Sequence, residues 1–180
     1  QLSYSQVNAF SIEPGEGNPA AVMVLEQWPE DDTLARIAAE IALPATAFVV
    51  KDDKGDADWQ ICWFSPTAEL RLCGHASLAS AHVLLARFGG ENITLHTRRS
   101  VALEVRRLGE GYEMALPAIL TEPSENAQAV ALIGAKPIEF RRSELGYNVL
   151  AYPDEVTLRA LRPDLVGLGK LGNDQFIATA

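Results

Sequence analysis

The longest apolar stretch of this chain follows no amphipathic pattern. Arg71 to Phe88 reads R-L-C-G-H-A-S-L-A-S-A-H-V-L-L-A-R-F. A surface helix carries one apolar stripe and one charged face. Here Ala76, Leu78, Ala79, Ala81, Val83, Leu84, Leu85 and Ala86 cover all directions. The stretch falls well short of the roughly 20 residues a bilayer span needs. It therefore predicts a helix over 75–88 wrapped by protein, with sheet as the wrapping. The flanking pattern supplies strands at Tyr4 to Phe10, Ala20 to Leu25, Thr46 to Val50 and Trp59 to Phe64. Ile93 to Thr97, Val101 to Val105 and Tyr112 to Leu116 follow as an antiparallel meander. Leu34, Ile37, Ala38 and Ile41 recur at helical spacing after the acidic first turn Asp31-Asp32 and before Pro44. A short helix is expected over Ala127 to Ile133. The class is α+β, with strands folded around a helix rather than alternating βαβ units.

Composition narrows the partners. Hydrophobic residues make up 48% of 180, enough for a sizeable core, and the formal net charge is −9. That balance disfavours nucleic acid and anionic membrane surfaces, and no membrane span is apparent. Cys62 and Cys73 are the two cysteines, without a C-x-x-C partner, and His75, His82 and His96 give no zinc spacing. Two such thiols suit a reducing cytosol, with a single disulfide left open. No G-x-G-x-x-G or G-x-x-x-x-G-K run points to a dinucleotide or to ATP.

Pro29-Glu30-Asp31-Asp32-Thr33-Leu34-Ala35-Arg36-Ile37 has an echo in Pro153-Asp154-Glu155-Val156-Thr157-Leu158-Arg159-Ala160-Leu161. Similar helix starts can arise by chance. Each copy, however, follows one strand candidate (Ala20 to Leu25; Tyr147 to Tyr152) and leads to another (Thr46 to Val50; Gln175 to Ala180). This order favours an internal repeat. The expected division is a first lobe over 1–118 and the start of a second over 119–180, without a second central helix.

Five ordered motifs carry a family resemblance: Val7-Asn8-Ala9-Phe10, Gly17-Asn18-Pro19-Ala20-Ala21-Val22, Thr46-Ala47-Phe48-Val49, Trp63-Phe64-Ser65-Pro66-Thr67-Ala68-Glu69-Leu70 and Leu72-Cys73-Gly74-His75-Ala76-Ser77-Leu78-Ala79. Together they resemble the phenazine-biosynthesis-like (PhzF-like) family. The resemblance implies the diaminopimelate-epimerase fold, two lobes each wrapping a sheet around a central helix. It implies cofactor-independent isomerase chemistry, a proton moved between carbons of a small carboxylate such as a dihydro-hydroxyanthranilate, and a homodimer. Two departures stand out. The family's Ser-Glu-Thr is replaced by Pro44-Ala45-Thr46, so Ala45 occupies the position of the proton-shuttling glutamate. The second lobe's Asp-Pro-x-Thr-Gly-Ser/Ala motif is absent from the chain.

The candidate site residues follow. Gly74, His75 and Ala76 open the central helix, where free N–H groups can hold a substrate carboxylate. His75 can donate or transfer a proton near neutral pH. Cys73 stands where racemases of this fold carry a thiol; a small buried apolar role is the favoured reading, and a base whose pKa the helix N-terminus could lower is the alternative. Asn18, in the G-N-P turn, either touches substrate or fixes the turn. Glu69 orients the loop before the helix at most. Cys62, His82 and His96 are assigned structural roles. The expected function is an isomerase impaired at position 45, against a non-catalytic carboxylate-binding protein or a racemase using Cys73.

Overall fold

The computed structural model describes residues 3–13, 15–98, 101–172 and 174–180, so part of the expected Glu13–Gly17 turn lies outside the described residues. The chain divides into two compact units, Gln1–Leu116 and Pro117–Ala180.

In the first unit the elements run β1 (Ser5–Ala9), β2 (Asn18–Leu25), α1 (Asp31–Ile41), β3 (Ala45–Lys51), β4 (Trp59–Phe64), β5 (Glu69–Leu70), α2 (Gly74–Phe88), β6 (Asn92–Thr97), β7 (Ala102–Leu108) and β8 (Gly111–Met114). The sheet order is β1-β2-β3-β4-β6-β7-β8, with β5 paired to β4. Most pairings are antiparallel, but β2–β3 and β4–β6 are parallel. Parallel neighbours require a crossover, and α1 and α2 supply the two. The expected exclusion of βαβ units is thus corrected: this is a mixed sheet, curled round α2 as a half-barrel.

Alternation along the strands explains why two helices sit on opposite faces. Ala45, Ala47 and Val49 of β3 join Ile61 and Trp63 of β4 in the core around α2, with Ala76, Ala79, Leu84 and Leu85. The intervening Phe48, with Cys62 and Phe64, packs against Leu34 and Ala38 of α1. α1 ends where Ala42 adopts φ 55°, a left-handed cap, and Pro44 then prevents resumption. The central helix is less enclosed than its composition predicts. His82 and Ala86 are exposed and Leu78 and Val83 half-buried, leaving an open stripe. There His82 Nδ1 meets Tyr112 Oη at 3.0 Å, tying α2 to β8.

The second unit contains β9 (Glu122–Pro123), α3 (Ala127–Ile133), β10 (Glu139–Arg142), β11 (Tyr147–Ala151), α4 (Glu155–Ala160), α5 (Leu165–Gly169) and β12 (Gln175–Thr179), in sheet order β12-β11-β10-β9. Ile133, Phe140, Leu150 and Tyr152 form its core. Asp154 caps α4 by accepting the Thr157 N–H at 2.7 Å, as its place at the head of the repeated helix predicts. The repeat also shows in topology. β10–β11 is antiparallel and β11–β12 parallel across α4 and α5, as β1–β2 is antiparallel and β2–β3 parallel across α1. Both middle strands are preceded by a glycine of positive φ, Gly17 at 81° and Gly146 at 84°. A Cβ at Gly17 would stand 2.4 Å from the Ala9 carbonyl oxygen, so that turn admits only glycine.

Candidate active site

Three elements converge at the start of α2. β2 begins at Asn18, and its Ala20 pairs with Ala45 at the start of β3. The Pro19 carbonyl faces His75 on α2. Ala45, Cys73 and Ala76 share one buried cluster, and Ala45 is 0% exposed. Asn18, Ala45, Cys73, Gly74, His75 and Ala76 are therefore brought to one end of the half-barrel.

α2 starts in the form an anion site requires. Its first bond runs from the Ser77 N–H to the Cys73 carbonyl at 3.0 Å, and the N–H groups of Gly74, His75 and Ala76 have no backbone acceptor among the described residues. Cys73, in the capping position, makes no capping bond. Backbone N–H groups and the helix dipole both favour negative charge there. Gly74 approaches Met114 and Leu116, yet a Cβ on it would lie 3.8 Å from the Met114 methyl, an ordinary contact. The fold does not demand glycine at this position.

Cys73 is buried, and its surroundings do not lower its pKa. Burial pushes its thiol up to about 11, outweighing the Ala76 N–H that favours the thiolate. At pH 7 it is a thiol, 3.5 Å from His75 Nδ1. Desolvation exceeds the helix-terminus effect because the sulfur is enclosed in the apolar cluster. Cys62 lies on the α1 face, away from this cluster, and burial raises its thiol to about 12. Both cysteines are free thiols.

Burial lowers the His75 pKa, with the Pro19 carbonyl opposing it more weakly. The ring is thus neutral at pH 7, able to accept or donate one proton. The unfolded chain then binds a proton that the folded one resists, so stability falls as pH drops below about 6.5 toward the lowered folded value. Replacing His75 with Asn should flatten the denaturant-midpoint profile in that window. An unchanged slope between pH 6.5 and 5 would show that His75 is not its source. The lowered carboxyls of Asp52 and Asp154 act in a more acidic range.

Two neighbours escaped the sequence reading. Pro19 was visible only as part of a turn, and its carbonyl matters through the β2–α2 approach. Trp63 reads as a core strand residue, yet its buried Nε1 has no hydrogen-bond partner; His75 Nε2 is likewise buried and unpartnered. Among the described residues no group of three or more His, Cys, Asp or Glu could hold a metal ion. No helix there is long and apolar enough to cross a membrane.

Similarity to known proteins agrees with this fold. The chain is 41% identical to an uncharacterized isomerase of Pseudomonas aeruginosa, over all of this chain and 68% of that protein. It is 33% identical to an uncharacterized isomerase of Halalkalibacterium halodurans, over 97% of this chain and 66% of that one. The crystal structure of a phenazine biosynthesis protein of the PhzF family from Enterococcus faecalis superposes with a TM-score of 0.78 at 33% identity, covering 97% of this chain and 66% of that one. The chain spans about two thirds of the length of these bacterial relatives. The phenazine biosynthesis-like protein family matches residues 7–179, a range that takes in the half-barrel, the α2 N-terminus and most of the second unit. The chain belongs to that family, with the diaminopimelate-epimerase-like fold.

Proposed function

We propose that this chain supplies one side of a cofactor-independent isomerase or epimerase site that holds a small carboxylate on the α2 N-terminus. The observation that carries the reading is the convergence of the Gly74, His75 and Ala76 N–H groups, which have no backbone acceptor among the described residues, with the Asn18-Pro19 turn and the buried position 45. In this reading the carboxylate of a dihydro-hydroxyanthranilate-like substrate accepts from the helix N–H groups, and neutral His75 and the Asn18 amide contact the rest of the molecule. Proton transfer is impaired because Ala45 has no ionisable group. The same proposal includes assembly as a homodimer, checked by light scattering.

Gly74→Ala tests the anion site apart from the fold. The added methyl meets only ordinary contacts, and alanine is the better helix former by about 0.5–1 kcal/mol. Stability should hold or rise while affinity for small carboxylates, read by calorimetry, falls about tenfold. Unchanged affinity would remove the helix N-terminus from the site.

A second reading, carboxylate binding without turnover, is favoured by the alanine at position 45. A racemase using Cys73 as base is disfavoured, since a thiol with a pKa of about 11 is protonated at neutral pH. Retained activity in a Cys73→Ser variant would exclude it.

A further inference from the structure

Four features bear on one point beside Ala45. Ala47 of β3 faces Trp63 of β4 directly across the ladder. Ala45, two residues back on the same face, is therefore the diagonal neighbour of Trp63, about 7–8 Å away along the sheet and within reach of long side chains. On the other flank, Ala45 pairs with Ala20, the residue after the Pro19 whose carbonyl faces His75. Trp63, Ala45, Cys73 and Ala76 are buried in one cluster. Within it the Trp63 indole N–H, on a side chain 2% exposed, has no acceptor, and His75 Nε2 has no partner. Buried polar groups are ordinarily satisfied. The unpaired Trp63 donor, diagonal on the ladder to a 0% exposed alanine, is the group that an acceptor at position 45 would satisfy. Thr46 Oγ1 is also unpaired, but alternation puts it on the α1 face, opposite Ala45.

We propose that Trp63 is a positioning residue for a carboxylate at position 45, its indole N–H being the donor that holds that group in place. This rests on the reading of position 45 as the seat of the proton carrier. In the present chain, with alanine at position 45, the donor has no acceptor. A glutamate there would accept from Nε1, which fixes its rotamer and holds its pKa below the value that burial alone would give. The indole need not touch substrate; it acts through the carboxylate.

The test changes one N–H and nothing else of shape. Trp63 is replaced by 3-benzothienylalanine, an indole isostere without the donor, in the parent chain and in Ala45→Glu. In the parent the change removes an unsatisfied donor and should raise the Tm by about 2–4 °C. In Ala45→Glu it removes a hydrogen bond and should lower the Tm by a similar amount. It should also move the titration of the introduced carboxyl, followed by carbon-13 NMR, upward by at least one pH unit. A merely structural indole gives the same sign in both backgrounds and no shift in that titration, and either result overturns the proposal. If Ala45→Glu does not fold, Ala45→Gln carries the same sign test, because its amide oxygen also accepts. The cycle reads stability and titration without turnover. Its failure and the failure of the isomerase reading are therefore separate results, the second being read by proton exchange on substrate.

Discussion

Placing a carboxyl at position 45 should raise solvent-deuterium incorporation into a dihydro-hydroxyanthranilate-like substrate at least ~10²-fold over the parent chain. A positioned general acid or base contributes typically ~10²–10⁴-fold, and Ala45 contributes no proton transfer. Position 45 is enclosed beside the α2 N-terminus, in the same cluster as Cys73 and Ala76. Burial raises a carboxyl's pKa toward neutrality, where one group can give up and take back a proton in a single cycle. Of the neighbouring groups, the Cys73 thiol is raised to about 11 and stays protonated at neutral pH. The measurement is proton exchange by Ala45→Glu against the parent, each in the complete gene product and with substrate saturating. Equal incorporation would remove position 45 from the chemistry and return weight to binding without turnover.

Leu84→Ala should cost ~2–5 kcal/mol, the range for deleting a buried leucine side chain in a packed core. Leu84 is 1% exposed, on the α2 face that meets Val22, Val49, Ile61 and Leu95. The half-barrel closes over this side from β2 through β7 and cannot collapse into the space. Changes at exposed His82 or Ala86 on the open stripe should stay within ~0.5 kcal/mol, apart from the His82–Tyr112 bond. Chemical denaturation reads both. A cost below about 1 kcal/mol at Leu84 would mean that α2 is not the centre of the sheet's packing.

The uneven legibility of this chain has local causes. Trp59–Phe64 and Ala127–Ile133 have the bounds their apolar runs predict, because flanking polar residues and a glycine C-cap mark their ends. α2 was legible as a buried helix because none of its faces is charged. Its open stripe was not, since Leu78, Val83 and Ala86 look the same in sequence whether covered or bare. β5 and β9 were missed because Glu69-Leu70 and Glu122-Pro123 are two residues long, and β10 because Glu139–Arg142 offers Phe140 alone to the core among charged residues. The parallel pairings were hidden because a crossover depends on where strands meet, not on any one segment. At the site, Ala45, Gly74 and His75 could be located by motif. The upward shift of Cys73 and the unpaired indole of Trp63 depend on what surrounds them, and no spacing records that.

The β4–α2–β6 crossover also constrains the order of assembly. α2 connects the two parallel strands β4 and β6, so this pairing cannot close until the chain between them is in place. Trp59, Gln60 and Ile61 find their partners Leu95, His96 and Thr97 only after the intervening chain has looped, coiled and returned. Such non-local closure exacts its loop entropy before contacts repay it. The first unit should accordingly reach its native state in one late, cooperative step, slower than helical bundles of the same size. Until that step the apolar α2 sequence stays exposed to water and to other chains.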